Sequence, residues 1–201
     1  MQEAAAGGGG KAALRESILR RRAMRSEDER DAAAAAIAAH LATAAFARGP
    51  IVAVYLSMAS EPGTGPLIDG LLARGAEVIV PVASTEGSLD WVRFDSDTHV
   101  ARSALGVPEP DGHRLGIDAI ASAGLVVAPA LAVDHAGRRL GRGGGYFDRA
   151  LAHAQAGGTS RSRPTICALV YADELLPEVP HEDHDVPVDL VVTEAGIFRV
   201  P

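Results

Sequence analysis

Cysteine occurs once in these 201 residues, at Cys167 inside an apolar run. A disulfide framework within the chain is excluded, and a reducing compartment suits such a composition. Lysine also occurs once, at Lys11, beside eighteen arginines. Arginine near any motif is therefore a weak signal by itself, whereas the lone lysine hints that a point charge on a flexible stem is wanted there. No apolar run approaches the roughly 18 residues that cross a bilayer. The first residues lack the charged-then-apolar order of a secretory signal. No Gly-Lys-Ser/Thr occurs, so a Walker loop is excluded. A net charge of −7 repels nucleic acid and anionic membranes, so an anionic ligand must be drawn by a local group of arginines. The expectation is a monomeric, cytoplasmic protein with small-molecule partners, and with neither nucleic acid nor membrane among them.

Residues 1–10 are small, end in Gly7–Gly10 and read as a disordered tail. Residues 11–201 read as one domain, with no internal repeat and no long linker. Leu14, Ile18 and Met24 give 11–25 a narrow apolar helical face. Ser26-Glu27-Asp28-Glu29 is a capping-box pattern that opens an alanine-rich helix to about Arg48. Strands are predicted over 51–57, 76–82, 89–94, 125–128, 165–171 and 188–193, and further helices over 67–74 and 146–155. Continuously apolar strands alternating with helices specify an α/β fold. The expected architecture is a single three-layer domain with a mostly parallel sheet and helices on both faces. Ligands of such folds sit beyond the carboxyl ends of the strands. The segments 57–61 and 129–148 lie there.

The richest segment is Arg138-Arg139-Leu140-Gly141-Arg142-Gly143-Gly144-Gly145-Tyr146-Phe147-Asp148. Glycines let backbone amides converge, arginines match phosphate oxygens, and a following helix start adds free N–H groups. The alternative is an arginine-rich surface turn. It is not a dinucleotide fingerprint, because Tyr146 stands where a third glycine is needed. Asp148 is placed to hold an Mg²⁺ that also touches phosphate. In Tyr55–Thr64, Glu61 is either a surface residue or a carboxylate facing the N–H/NH₂ edge of a heterocycle, with Leu56 and Met58 as pocket wall or plain core. Lys11 and Arg15 share a helix face that is either solvated or phosphate-binding. Pro180–Asp189 holds clustered His and Asp but two prolines precede its last aspartate, so it reads as a polar loop rather than a zinc site. Asp189 opens a strand and is expected to face the same pocket as Asp148. Spacing alone does not rank Asp134 against these two. Trp91 is expected in the core.

Together these segments resemble the 5-formyltetrahydrofolate cyclo-ligase (5,10-methenyltetrahydrofolate synthetase) family. The matching stretches are Lys11–Arg15, Tyr55-Leu56-Ser57-Met58 with Glu61 and Thr64, Gly106-Val107-Pro108-Glu109-Pro110, Pro129–Asp134 followed by Gly137–Asp148, and His184, Asp185, Pro187 and Asp189. Ala130, Val133, Phe147 and Gly63 depart from the family pattern. The resemblance implies an ATP- and Mg²⁺-dependent ligase of one-carbon metabolism, with Arg142 and Lys11 catalytic. It implies that Lys11, Arg15, Arg139, Leu140, Gly141, Arg142, Gly143, Gly144, Gly145, Tyr146 and Phe147 hold ATP. Arg15, Leu56, Glu61, Arg142, Gly143, Gly144, Gly145 and Tyr146 would hold the reduced folate, and Asp148 and Asp189 the metal. Two rivals are a protein that binds reduced folate without turnover and an ATP-using enzyme acting on another heterocycle.

Overall fold

The computed structural model of the chain describes residues 6–43, 50–84, 87–103, 106–156, 163–182 and 185–201. Two helices come first, α1 (Ala6–Ala23) and α2 (Glu27–Thr43). The capping box forms as the pattern demands: Glu29 N–H donates to Ser26 Oγ at 3.2 Å, and Ser26 N–H to the Glu29 carboxylate at 2.8 Å. Residues 44–48, expected to extend α2, lie outside the described residues. Helix α1 begins at Ala6 and runs through Gly7–Gly10, where a disordered tail was expected. Glycine resists helix, but adding a turn to a formed helix costs far less than starting one. Residues 1–5 lie outside the described residues.

Next come β1 (Ile51–Val54), α3 (Gly65–Ala73), β2 (Glu77–Ala83), β3 (Leu89–Phe94), β4 (Val100–Arg102) and β5 (Pro108–Pro110). The chain continues through β6 (Leu125–Pro129), β7 (Ala132–Asp134), β8 (Arg139–Leu140), α4 (Tyr146–Ala156), β9 (Thr165–Leu169), β10 (Leu175–Leu176), β11 (Leu190–Thr193) and β12 (Gly196–Arg199). The main sheet has the order β12-β11-β9-β6-β1-β2-β3. Its five inner strands are parallel, and the two edge strands are antiparallel to their neighbours. The mostly parallel sheet read from the apolar runs is therefore the one formed.

Strand alternation sorts the core into two layers. Val52, Val54, Val78, Val80, Val127 and Leu169 pack against α2 and α3. Ala53, Ile79, Val126, Ala128, Ala168 and Val191 face α4, with Trp91 buried among them. A third cluster lies off the main sheet, where Ile18 of α1 packs on Leu131, Ala132 and Leu140 of the small sheet β10-β7-β8. Burial of a side chain such as Ile18 contributes about 2 kcal/mol and anchors α1 there. Gly63, an acidic residue in the family pattern, sits against the alanine run of α2; a Cβ at 63 would stand 2.9 Å from the Ala34 Cβ. Ala130 and Val133 fill buried core positions.

β1 continues to β2 on one side, while β6 flanks β1 on the other. The carboxyl ends of β1 and β6 thus mark the point where the strand order reverses, which is where a doubly wound sheet opens a crevice.

Candidate active site

A cavity of about 550 Å³ occupies that crevice. Tyr55, Leu56, Met58 and Glu61 line it after β1, Pro129, Ala130 and Leu131 after β6, and Gly141 to Asp148 across its mouth. The β4–β5 hairpin supplies a further wall through Val107, Pro108 and Glu109. The segment 57–64 is held rigid by reciprocal bonds: Ser57 N–H to Thr64 Oγ1 at 3.1 Å, and Thr64 N–H to Ser57 Oγ at 3.2 Å. The bend before α4 takes φ of +102° at Gly143 and +68° at Gly145, the left-handed region that side chains avoid. The first turn of α4, Tyr146 to Asp148, opens on the cavity. Helix N-terminal amides lack intrahelical partners and carry the positive end of the dipole.

Each of two carboxylates at the cavity pairs with an arginine, one from β8 and one from the bend. Arg142 Nε donates to Glu61 Oε1 at 2.9 Å, and Met58 N–H holds Oε2 at 2.9 Å. The Glu61 side chain is 6% exposed and that of Arg142 40%, so the arginine is the partner with room to swing. Arg139 donates to Asp148 and, at 3.3 Å, to the Pro129 carbonyl, while its buried Nε has no partner. Burial pulls the Arg139 pKa below the ordinary value, against the opposing charge of Asp148.

Arg15 Nε donates to the Gly141 carbonyl at 2.9 Å and lies against Gly143. Lys11, one turn earlier, is gripped by Glu182 at 2.8 Å and Asp185 at 3.5 Å. Burial disfavours its charge. The Glu182 hydrogen bond and the Asp185 and Glu182 carboxylates outweigh that, so its pKa stands above the usual lysine value. The Arg15–Gly141 hydrogen bond places this end of α1 beside the bend. Docking of α1 through Ile18 thus brings Arg15 to the glycine segment, while Lys11 is engaged by Glu182 and Asp185 and does not line the cavity.

Two expectations change, and Asp134 takes a place that spacing did not assign. Leu140 does not face the cavity; it is a 1%-exposed core residue of β8, paired across to Ala132. The bend is tied down by a small hairpin whose inward positions must be apolar. Asp189 does not join Asp148. It precedes β11 at the amino edge of the sheet, where its carboxylate binds Arg163 at 2.7 Å and Ile166 N–H at 2.8 Å. It lines a separate pocket with Pro187 and Val188. Asp134 is fully buried and accepts from the N–H groups of Ala136, Arg138 and Val179 and from Arg138 Nε, so it closes a turn rather than facing ligand. His184 lies outside the described residues. No group of three or more His, Cys, Asp or Glu suited to a metal occurs among the described residues.

The sequence reading assigned no role to the Glu109 wall, to Tyr55 or to Arg22. For Glu109 the signal was present: a glutamate between two prolines shortly after Gly106 marks a short, stiff hairpin strand.

A profile of the 5-formyltetrahydrofolate cyclo-ligase family matches residues 8–194. A 5-formyltetrahydrofolate cyclo-ligase of Mycolicibacterium smegmatis is 41% identical over 150 residues, covering 72% of this chain and 74% of that protein. The Escherichia coli protein of the same name is 29% identical over 150 residues, covering 74% and 80%. The solved structure of Aquifex aeolicus 5,10-methenyltetrahydrofolate synthetase superposes with a TM-score of 0.74 at 27% identity, over 94% of this chain and 92% of that one. Profile, sequence and architecture agree, and the chain belongs to the 5-formyltetrahydrofolate cyclo-ligase family.

Proposed function

We propose that this protein closes 5-formyltetrahydrofolate to 5,10-methenyltetrahydrofolate at the expense of ATP, releasing ADP and phosphate. The observation that carries the reading is the Glu61–Arg142 ion pair, 2.9 Å across one cavity. It joins a dry carboxylate suited to a pterin N–H/NH₂ edge to a mobile guanidinium suited to phosphate.

The chemistry asks for that adjacency. N10 attacks the formyl carbon carried on N5, and the formyl oxygen must finally leave. Hydroxide is a poor leaving group, so the γ-phosphoryl group of ATP passes to that oxygen, which departs as phosphate. The task of the protein is alignment and charge neutralisation. Glu61, Leu56 and Met58 hold the pterin end. The Gly141–Gly145 bend, the first turn of α4, Arg15 and Arg139 form a cationic donor set that fits a polyphosphate. Arg142 bridges the two and stabilises the transferring group, while Lys11 adds charge at the edge of the nucleotide site. Asp148, paired with Arg139 here, is the carboxylate we assign to Mg²⁺, which would neutralise phosphate charge and commonly takes one or two carboxylates besides phosphate and water. Asp189 and Leu140 have no part in this reading.

The test is spectrophotometric. Purified protein with ATP, Mg²⁺ and 5-formyltetrahydrofolate is expected to generate the near-ultraviolet absorbance of the methenyl product, in step with ADP release. ADP release without that absorbance would point to another heterocycle. Folate binding without either would leave a binding protein.

A further inference from the structure

Behind the cavity lies a chain of buried polar groups. Arg22 of α1 is 0% exposed and forks onto Glu174, which is 1% exposed: Nε to Oε1 and Nη2 to Oε2, both at 2.7 Å. Nη2 also donates to the Ala130 carbonyl at 2.8 Å, on the cavity wall. Glu174 Oε2 accepts the Tyr171 N–H at 2.9 Å. The buried Tyr171 ring lies 4.0 Å from the Arg25 guanidinium, and its hydroxyl donates to the Glu61 carbonyl at 3.3 Å. From the β1 side, the Tyr55 hydroxyl donates to the Pro62 carbonyl at 2.9 Å. Two consecutive carbonyls, at Glu61 and Pro62, are thus each held by a buried tyrosine.

This arrangement is expensive for a core. A buried ion pair often contributes less than well-packed apolar residues of the same volume, and one Arg22 nitrogen, Nη1, is left without a partner. Both tyrosine hydroxyls are also held protonated: burial raises the Tyr171 pKa, and burial with the nearby Glu61 charge raises that of Tyr55 well above the ordinary value. Each is therefore a steady donor at neutral pH.

We infer that Tyr171 and Tyr55, backed by the Arg22–Glu174 pair, are positioning residues for the Glu61 carboxylate. The inference rests on Glu61 as the pterin ligand, as proposed above. Met58 N–H fixes carboxylate oxygen Oε2, Oε1 faces the half-exposed Arg142, and the tyrosines fix the backbone that carries both. A recognition group must be held to within a fraction of an ångström, and a polar network under the backbone supplies that rigidity where a short loop alone does not.

The experiment is a double-mutant cycle of Tyr171→Phe with Glu61→Gln, read as equilibrium binding of 5-formyltetrahydrofolate and, separately, of ATP. Tyr55→Phe serves as a second entry into the same cycle. Tyr171→Phe is expected to weaken folate binding by about 3- to 10-fold, the size of one hydrogen bond, with ATP affinity unchanged. In the Glu61→Gln background it is expected to add less than about 2-fold, since the group it positions is already impaired. Equal losses in both backgrounds, or no loss beside an impaired Glu61→Gln, would overturn the positioning role alone. Unchanged folate affinity in Glu61→Gln itself would overturn the pterin assignment, and the positioning role with it. A general packing defect would lower ATP affinity and melting temperature alongside folate affinity, and would overturn the inference as well.

Discussion

At the scale of single residues, the cavity is governed by which charge each arginine meets. Arg142 and Glu61 stand 81 positions apart in the chain and meet only in the fold. Arg142→Ala is expected to lower turnover by about 100- to 1000-fold while folate binding is largely kept, the behaviour of an electrostatic stabiliser of the transition state. Steady-state rates beside direct folate titration measure this, and parallel losses of both would make Arg142 a wall of the pocket instead. Asp134 offers a second residue-level test. Its burial favours the neutral acid, but hydrogen bonds from Val179, Arg138 and Ala136 outweigh this and hold its pKa below the usual carboxylate value. A folded pKa that is depressed stabilises the protein above about pH 4 and loses that contribution as pH falls through the folded value. Asp134→Asn should therefore cost about 2–4 kcal/mol at neutral pH, with the difference from the parent shrinking below about pH 4. Urea titrations at pH 7 and pH 3 give the comparison; a pH-independent difference would show that its charge contributes nothing.

At the scale of elements, the proposed nucleotide site is an assembly of a hairpin, a bend and two helix ends. The β7–β8 hairpin fixes the start of the bend, α4 receives its end, and α1 lays Arg15 across it. Within the bend, Gly145 is the tightest point. A Cβ there would lie 2.6 Å from Arg149 Nη1, at a φ of +68°. Gly145→Ala is accordingly expected to weaken ATP binding by at least about tenfold, while the distant sheet leaves overall stability within about 1–2 kcal/mol of the parent. Calorimetric titration with a nonhydrolysable ATP analogue decides it, and unchanged affinity would mean that the bend does not cradle the phosphates.

At the scale of the whole molecule, two apolar layers enclose a sheet whose centre is dry. Cys167 lies there at 0% exposure, and burial pushes its thiol far above the range in which it ionises. Thiolate is the reactive form. Labelling of this sole cysteine by a thiol reagent at pH 8 is therefore expected to be negligible in the native protein. Along a denaturant series it should rise with the same midpoint as loss of circular dichroism, because exposing Cys167 requires opening the sheet. Rapid labelling without denaturant would indicate a looser core than the one described. No helix among the described residues is long and apolar enough to cross a membrane.

The sequence by itself determined the alternation of strands and helices, the parallel core of the sheet and the existence of a glycine-arginine bend. Those depend on near neighbours in the chain: continuous apolar runs along the strands, a capping pair three residues apart, glycines where φ turns positive. Only the tertiary structure decided which charges meet. Asp189 and Asp148 looked equivalent as carboxylates beside ordered elements, yet one precedes a strand and the other follows one, so a parallel sheet carries them to opposite edges. Leu140 turned inward because the bend is anchored by a hairpin with its own core. Glu61 became a cavity residue, tied to Arg142 and Tyr171, because strand order placed the end of β1 beside the end of β6. Strand order follows from how whole layers pack, and no short window of sequence contains it.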